Sequence, residues 1–97
     1  MDKVIYLSSL YEVYKELCTQ KQRAYFELYY HENLSYSEIA EVHGVSRNAV
    51  HSQLKILEER LAELEDSLHI IEKKNKVLNL LKDKISTYIY EKIEELL

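Results

Sequence analysis

The chain has 97 residues and a formal net charge of −4, with no proline, one glycine and one cysteine. That length suits a single domain with a modest core, and the lone Cys18 excludes a disulfide scaffold and points to a reducing, cytoplasmic setting. The acidic balance is not that of a strong nucleic-acid binder, and no run is long and apolar enough to span a membrane.

With Leu, Glu, Lys, Ile and Tyr dominant and helix breakers nearly absent, the fold class expected is all-α. Residues 3–18 read as a first helix that Asp2 can cap. Val4, Ile5, Leu7, Leu10, Tyr11, Tyr14, Leu17 and Cys18 recur there at helical spacing. Cys18 reads as a buried, inert thiol. Thr19 opens a second helix over 20–31, with Gln22 three residues later completing a capping box. Ala24, Tyr25, Leu28 and Tyr29 give its inner face, widened by Phe26 and Tyr30. So many aromatics on one helix read as core and hinge packing, and tyrosines with one wet edge also suit interfaces.

Residues 35–57 organise the rest. Ser35 and Glu38 form a capping box on a helix over 35–42, with Ile39, Ala40 and Val42 as its apolar stripe. Small Ala40 permits a close helix crossing. Gly44, the only glycine, stands where the chain must end a helix and reverse. Val45 plugs the angle, and Ser46 caps the next helix. Together these give a helix-turn-helix, whose second helix enters a DNA major groove in proteins built this way. Arg47, Asn48, His51, Ser52 and Lys55 are its DNA-binding candidates, because guanidinium and amide groups can pair with guanine and adenine edges. Lys21, Arg23 and Ser46 are candidates for flanking phosphate contacts.

From Ser46 on, Leu54, Leu57, Leu61, Leu64, Leu68 and Ile71 alternate spacings of three and four, a heptad seam. Weak helix formers at Asp66, Ser67 and His69 place a bend at 66–70, giving helices over 46–66 and 71–95. The chain then divides into a domain over 1–66 and a C-terminal helical extension over 67–97. Apolar excess in the extension predicts a homodimer, with Leu61, Leu64, Leu78, Leu81, Ile85, Tyr88 and Ile89 at its interface.

The pieces Tyr11 and Tyr14, Thr19 to Arg23, Tyr29-Tyr30, Leu34 to Ala40 and Val45 to Val50 together resemble the YlxM family of small bacterial helix-turn-helix proteins. Their genes neighbour those of the signal recognition particle. More distantly, the chain resembles region 4 of sigma factors, a winged-helix-like DNA-binding superfamily, though without a clear wing. The resemblance covers residues 4–75. It implies a five-helix protein with a sigma-region-4-like core and a regulatory role linked to the signal recognition particle pathway. The family often has glutamine at Asn48, tyrosine-aspartate at His51-Ser52 and a glycine near His69.

Chemistry of other kinds finds no support in the sequence. The four histidines are scattered, Cys18 has no companion at ligand spacing, and no glycine-rich phosphate loop is present. No enzyme, metal, cofactor or small-molecule substrate is expected. Residues 19–57 balance Lys21, Arg23, Arg47 and Lys55 against Glu27, Glu32, Glu38 and Glu41, while 58–66 is acidic. Two functions follow: regulatory DNA binding, or protein or ribonucleoprotein binding on a helix-turn-helix scaffold.

Overall fold

The computed structural model describes residues 2–97 as six α-helices: α1 (Lys3–Tyr14), α2 (Gln20–Phe26), α3 (Tyr36–His43), α4 (Arg47–Leu68), α5 (Ile70–Leu81) and α6 (Thr87–Leu96). No β-strand occurs among the described residues, so none supplies a wing. Helix α4 is the spine, and α1, α2 and α3 all pack on it.

Local chemistry sets most of the helix starts. The Asp2 carboxylate accepts from the Val4 amide at 2.7 Å. Thr19 with Gln22 and Ser35 with Glu38 form complete capping boxes, each with both reciprocal bonds made. The Ser46 hydroxyl accepts from the Ala49 amide at 3.0 Å. Such caps pair amides that a helix start otherwise leaves orphaned.

Gly44 has φ +65°, and the Val45 amide donates back to the Ala40 carbonyl at 3.0 Å. This left-handed closure favours glycine because a Cβ is strained there. A Cβ built at Gly44 would touch nothing within 4 Å. Gly44→Ala is therefore expected to cost about 1 kcal/mol through backbone strain alone, measurable as a small fall in thermal midpoint. A larger cost would mean that the turn itself rearranges.

The core is Leu7, Leu10, Tyr11 and Tyr14 from α1, Tyr25 and Phe26 from α2, Ile39 and Ala40 from α3, and Val50, Leu54, Leu57 and Leu61 from α4. The α1 and α4 sets recur at three- and four-residue spacing, the apolar stripe of a helix lying on a core, while α2 and α3 each add an adjacent pair. Cys18 is half-buried, and burial pushes its thiol up against the lowering pull of Arg60 and Arg23. It is therefore less reactive than a free thiol.

Several sequence expectations need correction. The first helix loosens to a 3₁₀ turn at Lys15–Leu17, and the second widens to a π-turn over Glu27–His31. Val42 lies outside the apolar stripe and is 65% exposed. The expected bend becomes a single-residue corner at His69, φ +54°. That left-handed residue sits where the resemblance implied a nearby glycine. The single helix expected over 71–95 breaks into α5 and α6. Asp83 takes φ +64°, and Ser86 caps α6 by accepting from the Ile89 amide at 3.2 Å.

The corner between α4 and α5 is held by one side chain. Glu65 is buried on α4, and its carboxylate accepts from the Tyr14 hydroxyl of α1 at 2.6 Å. It also accepts from the Ile71 and Glu72 amides at 3.1 and 3.0 Å, amides of the α5 start that have no partner within the helix. His69 supplies no side-chain cap there. One carboxylate thus ties α1, α4 and α5 and neutralises the positive end of α5.

Candidate nucleic-acid interface

The arc expected to touch nucleic acid begins at the second helix of the turn. Arg47, Asn48, His51, Ser52 and Lys55 are all exposed on the first turns of α4. At about 100° per residue, the five fall within an arc of roughly 140° on one side of the helix. The core stripe of Val50, Leu54 and Leu57 occupies a different side. Burial of that stripe therefore aims all five polar side chains outward together.

Tyr36, at the start of α3, positions part of this arc. The Arg47 guanidinium lies over its ring at 5.5 Å, and the His51 ring meets it edge-on at 5.2 Å. Both contacts suit a tyrosine face, whose π cloud attracts a cation and accepts an aromatic edge. Tyr29 stacks on Tyr36 at 4.8 Å, Tyr30 meets Tyr29 edge-on at 4.9 Å, and Phe26 packs on Tyr30 at 4.6 Å. Tyr11 stacks on Phe26 at 4.1 Å. These rings run without interruption from the core to the surface arc. The π-turn over Glu27–His31 accommodates it, because widening the helix rotates Tyr29 and Tyr30 relative to a regular α2. The neighbouring Tyr29 hydroxyl first, and then burial, push the Tyr36 hydroxyl up to about 12, so it stays neutral.

Beside the arc opens a groove of about 770 Å³, lined by Lys3, Tyr29, Tyr36, His51, Lys55 and Glu58 among others. Lys3 from α1 pairs with Glu58 at 3.6 Å, and Glu58 accepts from the Tyr30 hydroxyl at 2.8 Å. The groove thus has an aromatic floor and a wall shared by both signs of charge. Helix α4 is graded along its length. Arg47 and Lys55 stand alone on its first nine residues, whereas Glu58, Glu59, Glu63, Glu65 and Asp66 follow against Arg60. Phosphates are attracted at the near end and repelled at the far end.

The structure separates the expected phosphate contacts. Ser46 spends its hydroxyl acceptor on the α4 cap. Lys21 lies over the Tyr25 ring at 5.8 Å, and that ring meets His43 at the end of α3. Arg23 turns the other way and pairs with Glu16 at 3.7 Å. A hydrogen bond with Tyr11 outweighs the lowering effect of burial and holds its guanidinium above the ordinary value. Arg23 therefore links α2 to the turn that follows α1.

Sequence reasoning treated the tyrosines as packing and missed Tyr36 as the seat of Arg47 and His51. Its signal lies in spacing across the turn, since Tyr36 opens α3 just as Arg47 opens α4. The expected interface residues Leu61 and Leu78 are buried within the single chain, Leu61 fully. They belong to the intramolecular core because α1 and α5 fold onto α4. Leu64 and Ile71 pack half-buried against that core. Leu81 and Ile85 are half-buried, and only Tyr88 and Ile89 of that set are exposed.

Among the described residues, no group of three or more His, Cys, Asp or Glu side chains could hold a metal ion. Nor is any helix among the described residues long and apolar enough to cross a membrane.

Comparison with known proteins follows the same lines. The family model UPF0122, described as "Putative helix-turn-helix protein, YlxM / p13 like", matches residues 1–96. A probable UPF0122 protein of Mycoplasma mycoides is 41% identical over 87 residues, covering 90% of this chain and 76% of the relative. A UPF0122 protein of Oceanobacillus iheyensis is 39% identical over 100 residues, covering 99% and 95%. One of Halalkalibacterium halodurans is 39% identical over 88 residues, covering 88% and 81%.

Proposed function

From the premise that the chain belongs to the YlxM/p13-like helix-turn-helix family UPF0122, we propose that it is a regulatory protein that binds duplex DNA through the first turns of α4. The observation that carries this reading is the single exposed arc of Arg47, Asn48, His51, Ser52 and Lys55, with Arg47 and His51 seated on Tyr36. In this reading Arg47 and Asn48 reach base edges, as guanidinium and amide groups do in a major groove. Lys55 meets a phosphate, and Lys21 reaches a flanking one. The acidic far half of α4 tilts away from the duplex. The likeness to sigma region 4 supports the same mode of docking, with α4 as the recognition helix.

Binding of labelled duplexes against salt tests this reading. With Lys55 and Lys21 meeting phosphates, log affinity should fall against log salt with a slope of about −2 per chain. Lys55→Ala should weaken binding to all sequences and reduce that slope by about 1. Arg47→Ala should cost about 1–3 kcal/mol and relax the preference at one base position. Tyr36→Ala should act in the same direction by unseating Arg47. A flat salt dependence on every duplex, including DNA upstream of the gene, overturns the proposal.

A second reading has its own observation in the groove. Its aromatic floor and mixed wall suit a protein or ribonucleoprotein surface better than a bare phosphate backbone. The resemblance to a family linked to the signal recognition particle supports a partner of that kind. Recovery of particle components from cytosol by the wild-type chain but not by a Tyr36→Ala chain, together with a flat salt dependence on DNA, would favour it.

A further inference from the structure

Helix α6 has no buried residue and packs mainly against α5, which buries Leu78 alone. A ten-residue helix without tertiary cover is marginal in water. The chain is also elongated, 52 × 26 × 23 Å, with a radius of gyration of 16.5 Å. A compact chain of this length has about 12.5 Å. Helix α6 and the outer face of α5 therefore lack cover within the single chain.

The hairpin has an apolar surface there. Ile70, Val77 and Leu80 follow one helical stripe on α5, turned from the face that carries Ile71 and Leu78. Leu80 is 68% exposed. On α6, Tyr88 is 66% and Leu96 85% exposed, with Ile89 between them.

Charge identifies what covers this surface. Residues 70–84 carry Lys73, Lys74, Lys76, Lys82 and Lys84 against Glu72 and Asp83. Residues 87–97 carry Glu91, Glu94 and Glu95 against Lys92. The internal pairs Lys76–Glu72 at 2.9 Å and Lys92–Glu95 at 3.8 Å consume only part of this charge. Among the described residues, Lys73, Lys74, Glu91 and Glu94 make no ion pair. One half of the hairpin is basic, the other acidic, and both flank apolar stripes. Such a surface is complementary to itself under a two-fold axis.

We propose that the α5–α6 hairpin is a homodimerisation element. In it, α5 of one copy packs on α6 of the other and the lysines of each face the glutamates of its partner. Ile70, Val77, Leu80, Tyr88, Ile89 and Leu96 form the apolar centre, replacing the buried leucines that sequence periodicity suggests.

Sedimentation equilibrium of the full chain at micromolar concentrations should give twice 11.6 kDa, and a monomer mass there overturns the proposal. Leu80→Asp with Tyr88→Asp should yield monomers that keep the cooperative unfolding of the α1–α4 core, because both side chains are exposed in the single chain. A dimer that survives this pair uses another surface, which also overturns it. Lys73→Glu with Lys74→Glu, and separately Glu91→Lys with Glu94→Lys, should each weaken self-association at least tenfold. Mixing the two charge-reversed chains should then restore a mixed dimer. Failure to restore it refutes the α5-to-α6 pairing.

Discussion

Phe26→Ala is expected to bring the protein close to unfolding at room temperature. Phe26 is fully buried between Tyr11, stacked on it at 4.1 Å, and Tyr30 at 4.6 Å. Truncating such a ring forfeits its transfer energy and leaves a cavity that three surrounding helices cannot easily close. The cost is about 3–5 kcal/mol. A domain of this length has roughly 5–15 kcal/mol in total. Each kcal/mol lowers the thermal midpoint by about 4–8 °C at this size, so the midpoint should fall by tens of degrees. Phe26→Leu, which keeps more of the volume, should lose much less. The same ring supports the path from Tyr30 through Tyr29 to Tyr36. Phe26→Leu should therefore also loosen the seat of Arg47 and weaken the proposed DNA binding more than a surface substitution would. Denaturant unfolding monitored by tyrosine fluorescence, alongside a binding curve, reads both effects. An unchanged midpoint in Phe26→Ala would show that this ring is not in the core.

Glu65→Ala is the second large effect, and it acts through polar groups. It strands the Tyr14 hydroxyl inside the protein and removes the acceptor for the first amides of α5. Loss of a charged acceptor with partners left unpaired costs about 2–4 kcal/mol. Glu65→Gln preserves an acceptor of the same shape and should cost less than half of that.

The dependence on pH separates charge from shape. Burial pushes the Glu65 carboxyl up, but the Tyr14 hydroxyl, the Ile71 and Glu72 amides and nearby His69 outweigh it and hold it below the ordinary 4.5. A group depressed in the folded state stabilises above its unfolded pKa and loses that contribution as pH falls through the folded one. The Glu65 contribution is thus complete at neutral pH and is lost below about pH 4.5. Glu38 and Glu72 are also held below the ordinary value, the first by its capping bonds and the second by Lys76 and His69. The wild-type acid transition therefore has several sources. The difference between wild type and Glu65→Gln isolates one of them. The two melting curves should converge as pH drops from 5 toward 3, and parallel curves over that range would remove Glu65 from the acid response. The Tyr14 hydroxyl, pushed up to about 12 by burial and by Glu65, stays a donor throughout.

What the sequence by itself determined was local. The capping boxes at Thr19 and Ser35, the Ser46 cap and the left-handed Gly44 rest on bonds spanning five residues or fewer, and all appear in the structure as the residue types imply. The all-helical class follows from composition, and the outward arc on α4 follows from period 3.6 once its opposite face is apolar. Tertiary structure decided what each face meets, because periodicity marks an apolar stripe without naming its partner. Leu61 reads as an interface residue in the heptad series, and it turned inward only because α1 and α5 fold over α4. The pairing of Arg23 with Glu16, in the turn after α1, likewise could not be read from spacing. Glu65 reads as one more acid in a solvated run, and its burial depends on Tyr14, fifty-one positions earlier in the chain. The break between α5 and α6 had a local signal in Asp83 and the Ser86 cap. The apolar spacing of Leu81, Ile85 and Ile89 ran across it and hid it, since an unbroken stripe and two short stripes in register look alike until the chain turns.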